Sequence, residues 1–68
     1  MKLTINGQPR DFASLATLED LLAALGLKQD RVAIERNGEI VSRDAWSATP
    51  IAEGDRLEIV HFVGGGAL

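Results

Sequence analysis

The 68 residues allow one domain with a thin core, because a chain this short hides only about 60% of its surface on folding. A ligand pocket of roughly 300–1,000 Å³ would consume most of that core, which disfavours a self-contained enzyme, and the absence of cysteine excludes a disulfide framework or a Cys-based zinc site. Seven Lys and Arg against ten Asp and Glu, interspersed rather than clustered, give a net charge of −3 and no basic stripe for a nucleic acid.

Met1, Leu3 and Ile5 alternate with Lys2 and Thr4, the period of a half-buried strand. Asn6-Gly7 is a two-residue hairpin signal, so Gln8 to Phe12 is expected to return antiparallel, with Pro9 confining that strand to a sheet edge. Thr17 can cap a helix whose first turn carries Glu19 and Asp20. Leu18, Leu21, Leu22 and Leu25 form one apolar stripe along it, and Gly26 stops it. Val32 to Glu35 reads as a third strand, Asn37-Gly38 as a turn and Glu39-Ile40-Val41 as a short return strand. Ser42 to Ile51 reads as irregular, Glu53-Gly54-Asp55 as a turn, and Arg56 to Phe62 as the last strand. Gly64 to Leu68 holds too much glycine to keep a fixed shape by itself.

A single helical stripe has one partner to find, so the helix is expected to pack across one face of one mixed sheet. There it would meet Leu3, Ile5, Val32, Ile34, Leu57 and Ile59. The order predicts an α+β, β-grasp (ubiquitin-like) domain over residues 1–63, with four to five strands, followed by a flexible tail over 64–68. Trp46 is expected to plug an open end of the sheet. No stretch approaches the ~20 apolar residues of a membrane span, and the chain turns at Asn6-Gly7 before an export-signal core forms. A cytoplasmic protein that meets neither membrane nor nucleic acid is the expectation.

Reactive side chains are few. His61 is the one histidine, with no second ligand at a metal-binding spacing, and reads as structural or solvated. No catalytic residue and no metal site are expected. Glycine has no Cβ, so the tail can thread a channel too narrow for other residues. A carboxylate at the end of such an arm is a poor electrophile until a leaving group is installed, and no residue here could install one. Chemistry at that carbon would belong to a partner enzyme. In the last strand Val60 and Phe62 point away from the helix, next to the root of the tail. They read either as an exposed docking patch or as residues covered by the Ser42–Ile51 loop.

Val41-Ser42-Arg43-Asp44-Ala45-Trp46, then Glu53-Gly54-Asp55-Arg56-Leu57-Glu58-Ile59, and finally Phe62-Val63-Gly64-Gly65-Gly66 resemble the ThiS family, the bacterial sulfur carriers of thiamine synthesis. Leu3-Thr4-Ile5-Asn6-Gly7 and the Leu18–Leu25 helix fit the same pattern. The resemblance implies that Gly66, with Gly65 completing the diglycine, is adenylylated and converted to a thiocarboxylate by an ATP-using, E1-like adenylyltransferase (ThiF). The sulfur would then pass to a thiazole synthase (ThiG). ATP would be bound by the partner, with no cofactor held by the carrier. Val60, Phe62 and Val63 become the candidates for partner docking. One departure stands out: the family pattern finishes at the diglycine, whereas Ala67-Leu68 follow here and call for protease trimming, a cloning remnant or a different function. Sulfur carriers for cysteine, homocysteine or molybdopterin synthesis, and a non-covalent β-grasp interaction module, are the alternatives.

Overall fold

Residues 1–62 are described by a computed structural model of the chain. Five strands, β1 (Lys2–Ile5), β2 (Gln8–Asp11), β3 (Val32–Arg36), β4 (Glu39–Val41) and β5 (Arg56–His61), form one sheet in the order β2-β1-β5-β3-β4. β1 and β5 run parallel at its centre and the remaining pairs are antiparallel. One helix, α1 (Leu18–Leu25), crosses one face. This is the five-stranded form of the expected β-grasp. The last strand stops one residue short of the predicted Phe62, and the second stops at Asp11.

Each element forms where its residues direct it. Asn6 and Asn37 adopt positive φ (51° each) in two hairpin turns, as the Asn-Gly pairs require. Met1 and Phe12 exchange two backbone bonds of 2.8 Å, which makes Thr4 and Pro9, three steps along, a non-hydrogen-bonded pair. Pro9 therefore turns its missing N–H toward the open edge, where it costs the ladder nothing. At α1, the Thr17 hydroxyl accepts from the Asp20 N–H (3.3 Å), while the Asp20 carboxylate accepts from the N–H groups of Thr17 and Ala16 (3.1 Å each). This reciprocal capping box gives Asp20 a more specific task than complementing the helix dipole. Gly26 ends the helix at φ 73°, a conformation costly to any residue with a Cβ.

Leu18, Leu21 and Leu22 are fully buried against Leu3, Ile5, Val32, Ile34, Leu57 and Ile59, the residues expected from the alternation. Each such leucine contributes about 1.5–3 kcal/mol. Leu25, the last of the stripe, is only half-buried.

Two short segments add brief helices, the second of them inside the Ser42–Ile51 stretch expected to be irregular. Gln29–Arg31 and Arg43–Ala48 are 3-10 helices. The second is organised by Trp46, 2% exposed, which enters the core and donates its indole N–H to the Val41 carbonyl at 2.9 Å. Its exit strand braces the helix start: the Thr49 carbonyl accepts from Leu18 N–H and the Ala16 carbonyl from Ile51 N–H, both 3.1 Å. This segment thus lies on the helix side of the sheet, not over Val60 and Phe62. Among the described residues no helix is long and apolar enough to cross a membrane.

Asp55 is the single buried charged residue among those described. Burial pushes its pKa up, but hydrogen bonds from the Ala52 N–H (2.9 Å), Asn37 Nδ2 (3.1 Å) and Arg36 Nε (2.9 Å), with the Arg36 charge, outweigh that and hold it below the ordinary carboxylate value. A folded-state pKa below the unfolded one gives stability that is complete above pH about 4 and is lost as the carboxylate protonates. Asp55→Asn is expected to lower the unfolding free energy by about 2 kcal/mol at pH 7. In urea melts the gap between variant and parent should narrow once the pH falls below about 4. A second expectation concerns Asn6, whose side chain accepts from Ile59 N–H (2.7 Å) and donates to the Ile59 carbonyl (3.1 Å). Asn6→Gly keeps the left-handed backbone and deletes only this clamp, and about 2 kcal/mol should be lost in the same melts.

Candidate functional site

The candidate site is where β5 leaves the sheet. Along β5, Leu57 and Ile59 point into the core, while Glu58 and Val60 point to the face that α1 leaves open. Val60 is 56% exposed and Phe62, just past the strand, 48%. β5 is central, as the covered reading supposed, yet the loop that would have covered these side chains packs on the opposite face. Val60 and Phe62 are therefore open to a partner.

A third apolar residue joins them. Ile40 on β4 is 79% exposed and stands opposite Glu35, one step diagonally from Ala33, which in turn pairs with Val60. Ile40, Ala33, Val60 and Phe62 make an oblique apolar band across three strands, flanked by the carboxylates of Glu35 and Glu58, which face each other across β3 and β5. Sequence reasoning missed Ile40. Val41 points to the core side through its pairing with Ile34, so strict alternation on β4 was the available signal.

The strand end is held firmly. Phe62 N–H donates to the Arg31 carbonyl at 2.7 Å, and the Asn6 carboxamide grips both polar groups of the Ile59 peptide. The described chain therefore delivers Phe62 to a fixed point at the end of the central strand. Val63, Gly65 and Gly66, and the boundary expected at residue 63, lie outside the described residues. His61 is exposed, on the helix side of β5. Among the described residues no group of three or more His, Asp or Glu could hold a metal ion. No buried side-chain polar atom lacks a hydrogen-bond partner there either. Among the described residues the arrangement is an exposed apolar surface beside a firmly held strand end.

The chain is similar along nearly its whole length to proteins of one family. The ThiS family model matches residues 3–66, which takes in the diglycine. It is 48% identical over 67 residues to a thiazole synthase of Paramagnetospirillum magneticum, covering 98% of this chain and 21% of that protein. The chain thus spans about a fifth of the length of the two thiazole synthases it matches. The sulfur carrier protein ThiS of Bacillus subtilis is 44% identical over 50 residues, which cover 74% of this chain and 76% of that one. The crystal structure of a thiamine biosynthesis protein (ThiS) from Geobacter metallireducens superposes with a TM-score of 0.80 at 39% identity, covering 97% of this chain and all of that one. Match, fold and diglycine agree: the chain belongs to the ThiS family.

Proposed function

We propose that this chain is a sulfur carrier of thiamine biosynthesis, a protein co-substrate rather than an enzyme, that works in the cytoplasm. The observation that carries the reading is the anchored central strand β5, which runs past an open apolar band and is followed in the sequence by Gly64-Gly65-Gly66. The carboxylate of Gly66 attacks the α-phosphorus of ATP on an E1-like adenylyltransferase of the ThiF type. An acyl adenylate forms and pyrophosphate leaves. A sulfur nucleophile then displaces AMP, leaving a thiocarboxylate with one oxygen replaced by sulfur. ATP is held by the partner throughout.

A thiazole synthase of the ThiG type is the proposed acceptor of that sulfur. Two bacterial proteins named thiazole synthase contain a region 46–48% identical to this chain, which supports a link between the two activities and favours thiamine over other sulfur pathways. Val60, Phe62 and Val63, together with Ile40, serve as the grip for these partners. The acidic flanks at Glu35 and Glu58 suit a partner surface with apolar knobs and basic neighbours. Gly65 and Gly66 pass through the partner's channel because they carry no Cβ.

In the present sequence the Gly66 carbonyl is tied in an amide to Ala67, and an amide does not displace pyrophosphate. Cleavage after Gly66 by a protease is therefore a required first step. Intact-mass analysis after incubation with ATP, a ThiF-type enzyme and a sulfur source should yield a thiocarboxylate on the chain cut after Gly66 and none on the uncut chain. Thiocarboxylate recovered on the uncut chain overturns the trimming step; none on either form overturns the carrier reading. The paired exchange Val60→Asp with Phe62→Asp sits on exposed side chains and should leave the amide spectrum dispersed. It should slow thiocarboxylate formation about tenfold, in line with losing central interface contacts. An unchanged rate would remove these residues from the docking surface.

A further inference from the structure

On the face opposite the apolar band, a hollow of about 280 Å³ opens between the β1–β2 hairpin, the end of α1 and β5. Leu25, Leu27 and Ile59 give it apolar walls, and Arg10 and His61 stand at its rim. A second hollow of about 360 Å³ meets it at Leu27 and His61 and adds Lys28 and Arg31. Among the described residues no carboxylate lines either one, although the chain carries ten acidic residues against seven basic.

The backbone offers a second feature at the same place. On β5 the even-numbered residues bond toward β3: Phe62 N–H reaches the Arg31 carbonyl and the Arg56 carbonyl accepts from Asn37 N–H, both at 2.7 Å. The odd-numbered residues turn the other way. Asp55 and Leu57 offer carbonyls to the N–H groups of Thr4 (3.0 Å) and Asn6 (2.9 Å), and the Asn6 side chain takes both groups of Ile59. His61 is next in that row, past the end of β1, and among the described residues no strand continues alongside it. The two hollows open beside this unpartnered peptide.

We propose that this groove receives an extended, acidic segment of a partner protein. The segment pairs its backbone with His61, seats an apolar side chain between Leu25, Leu27 and Ile59, and sets carboxylates against Arg10, Lys28 and Arg31. An acidic strand fits because the groove offers cations and a free peptide edge together, while the edge strand β2 is blunted by Pro9. A nucleic acid is a poorer fit to an apolar floor in a chain of net charge −3. The groove and the apolar band lie on opposite faces, so both can be occupied at once, and the inference does not depend on the sulfur chemistry.

The test uses the whole chain, isotope-labelled, titrated with a peptide of about eight residues alternating Val and Glu. Its Val-Lys counterpart and inorganic phosphate are titrated in parallel. Saturable amide shifts are expected at Asn6, Arg10, Leu27 and His61 with the Glu peptide only. Arg10→Glu and Arg31→Glu, each on an exposed side chain, should weaken binding about tenfold when combined and by less singly. Val60→Asp on the other face should leave the affinity unchanged. The proposal is overturned by an absence of saturable shifts, by an equal response to the Lys peptide or to phosphate, or by shifts confined to the Val60 and Phe62 face.

Discussion

The central strand β5 has to be hydrogen-bonded along both edges, yet β1, its parallel neighbour, meets it in register over only two residues on each strand. Two asparagine side chains complete what the strands leave undone. Asn6 stands in for the missing continuation of β1 by gripping the Ile59 peptide at both its polar atoms. Asn37 does the corresponding work at the strand's start, where its side chain accepts from Arg56 N–H (2.9 Å) and donates to Asp55. A buried peptide left unpaired would cost about 1–3 kcal/mol per polar group, a large share of the margin available to so small a domain. Both residues sit in Asn-Gly hairpin turns, so one residue type supplies the left-handed backbone and the cross-link at the same site.

This constraint also shapes the exposed surfaces. With one helix there is cover for one face only, and the other is left to Lys2, Thr4, Glu35, Glu58 and the apolar band. Val60 and Phe62 at the end of β5 and Ile40 on β4 stand on either side of β3, with Ala33 between them, and exposed apolar groups so placed suit a contact surface. β5 supplies both the core residues Leu57 and Ile59 and the surface residue Val60, so the fold's most firmly held strand is also the one that leads to the tail.

Much of this was legible in the residues because local signals and global packing agree. Thr17, the leucine spacing and Gly26 define α1 to the residue, and the alternation in β1, β3 and β5 gives the core positions. The exposed state of Val60 and Phe62 was not decidable, since it depended on which side of the sheet the Arg43–Ala48 segment would fold. That choice is made by Trp46, whose ring is buried in the helix-side core, a placement with no periodic trace in the sequence. The Asp55 cluster was equally hidden: Glu53-Gly54-Asp55 reads as a turn, and nothing local says that its carboxylate will collect Arg36, Asn37 and the Ala52 N–H. Ile40 escaped notice because a three-residue strand offers too short a run for alternation to stand out.

The bond between Asn6 and Ile59 joins positions 53 apart, and the parallel β1–β5 pair spans a comparable distance. Contacts of such long range form late, after the entropy of closing a large loop has been met. During synthesis the first hairpin must therefore wait, its inner edge unpaired, until the last strand has cleared the ribosome. The domain closes all at once when β5 joins the sheet, so that no half-built form with a stable sheet precedes the finished one.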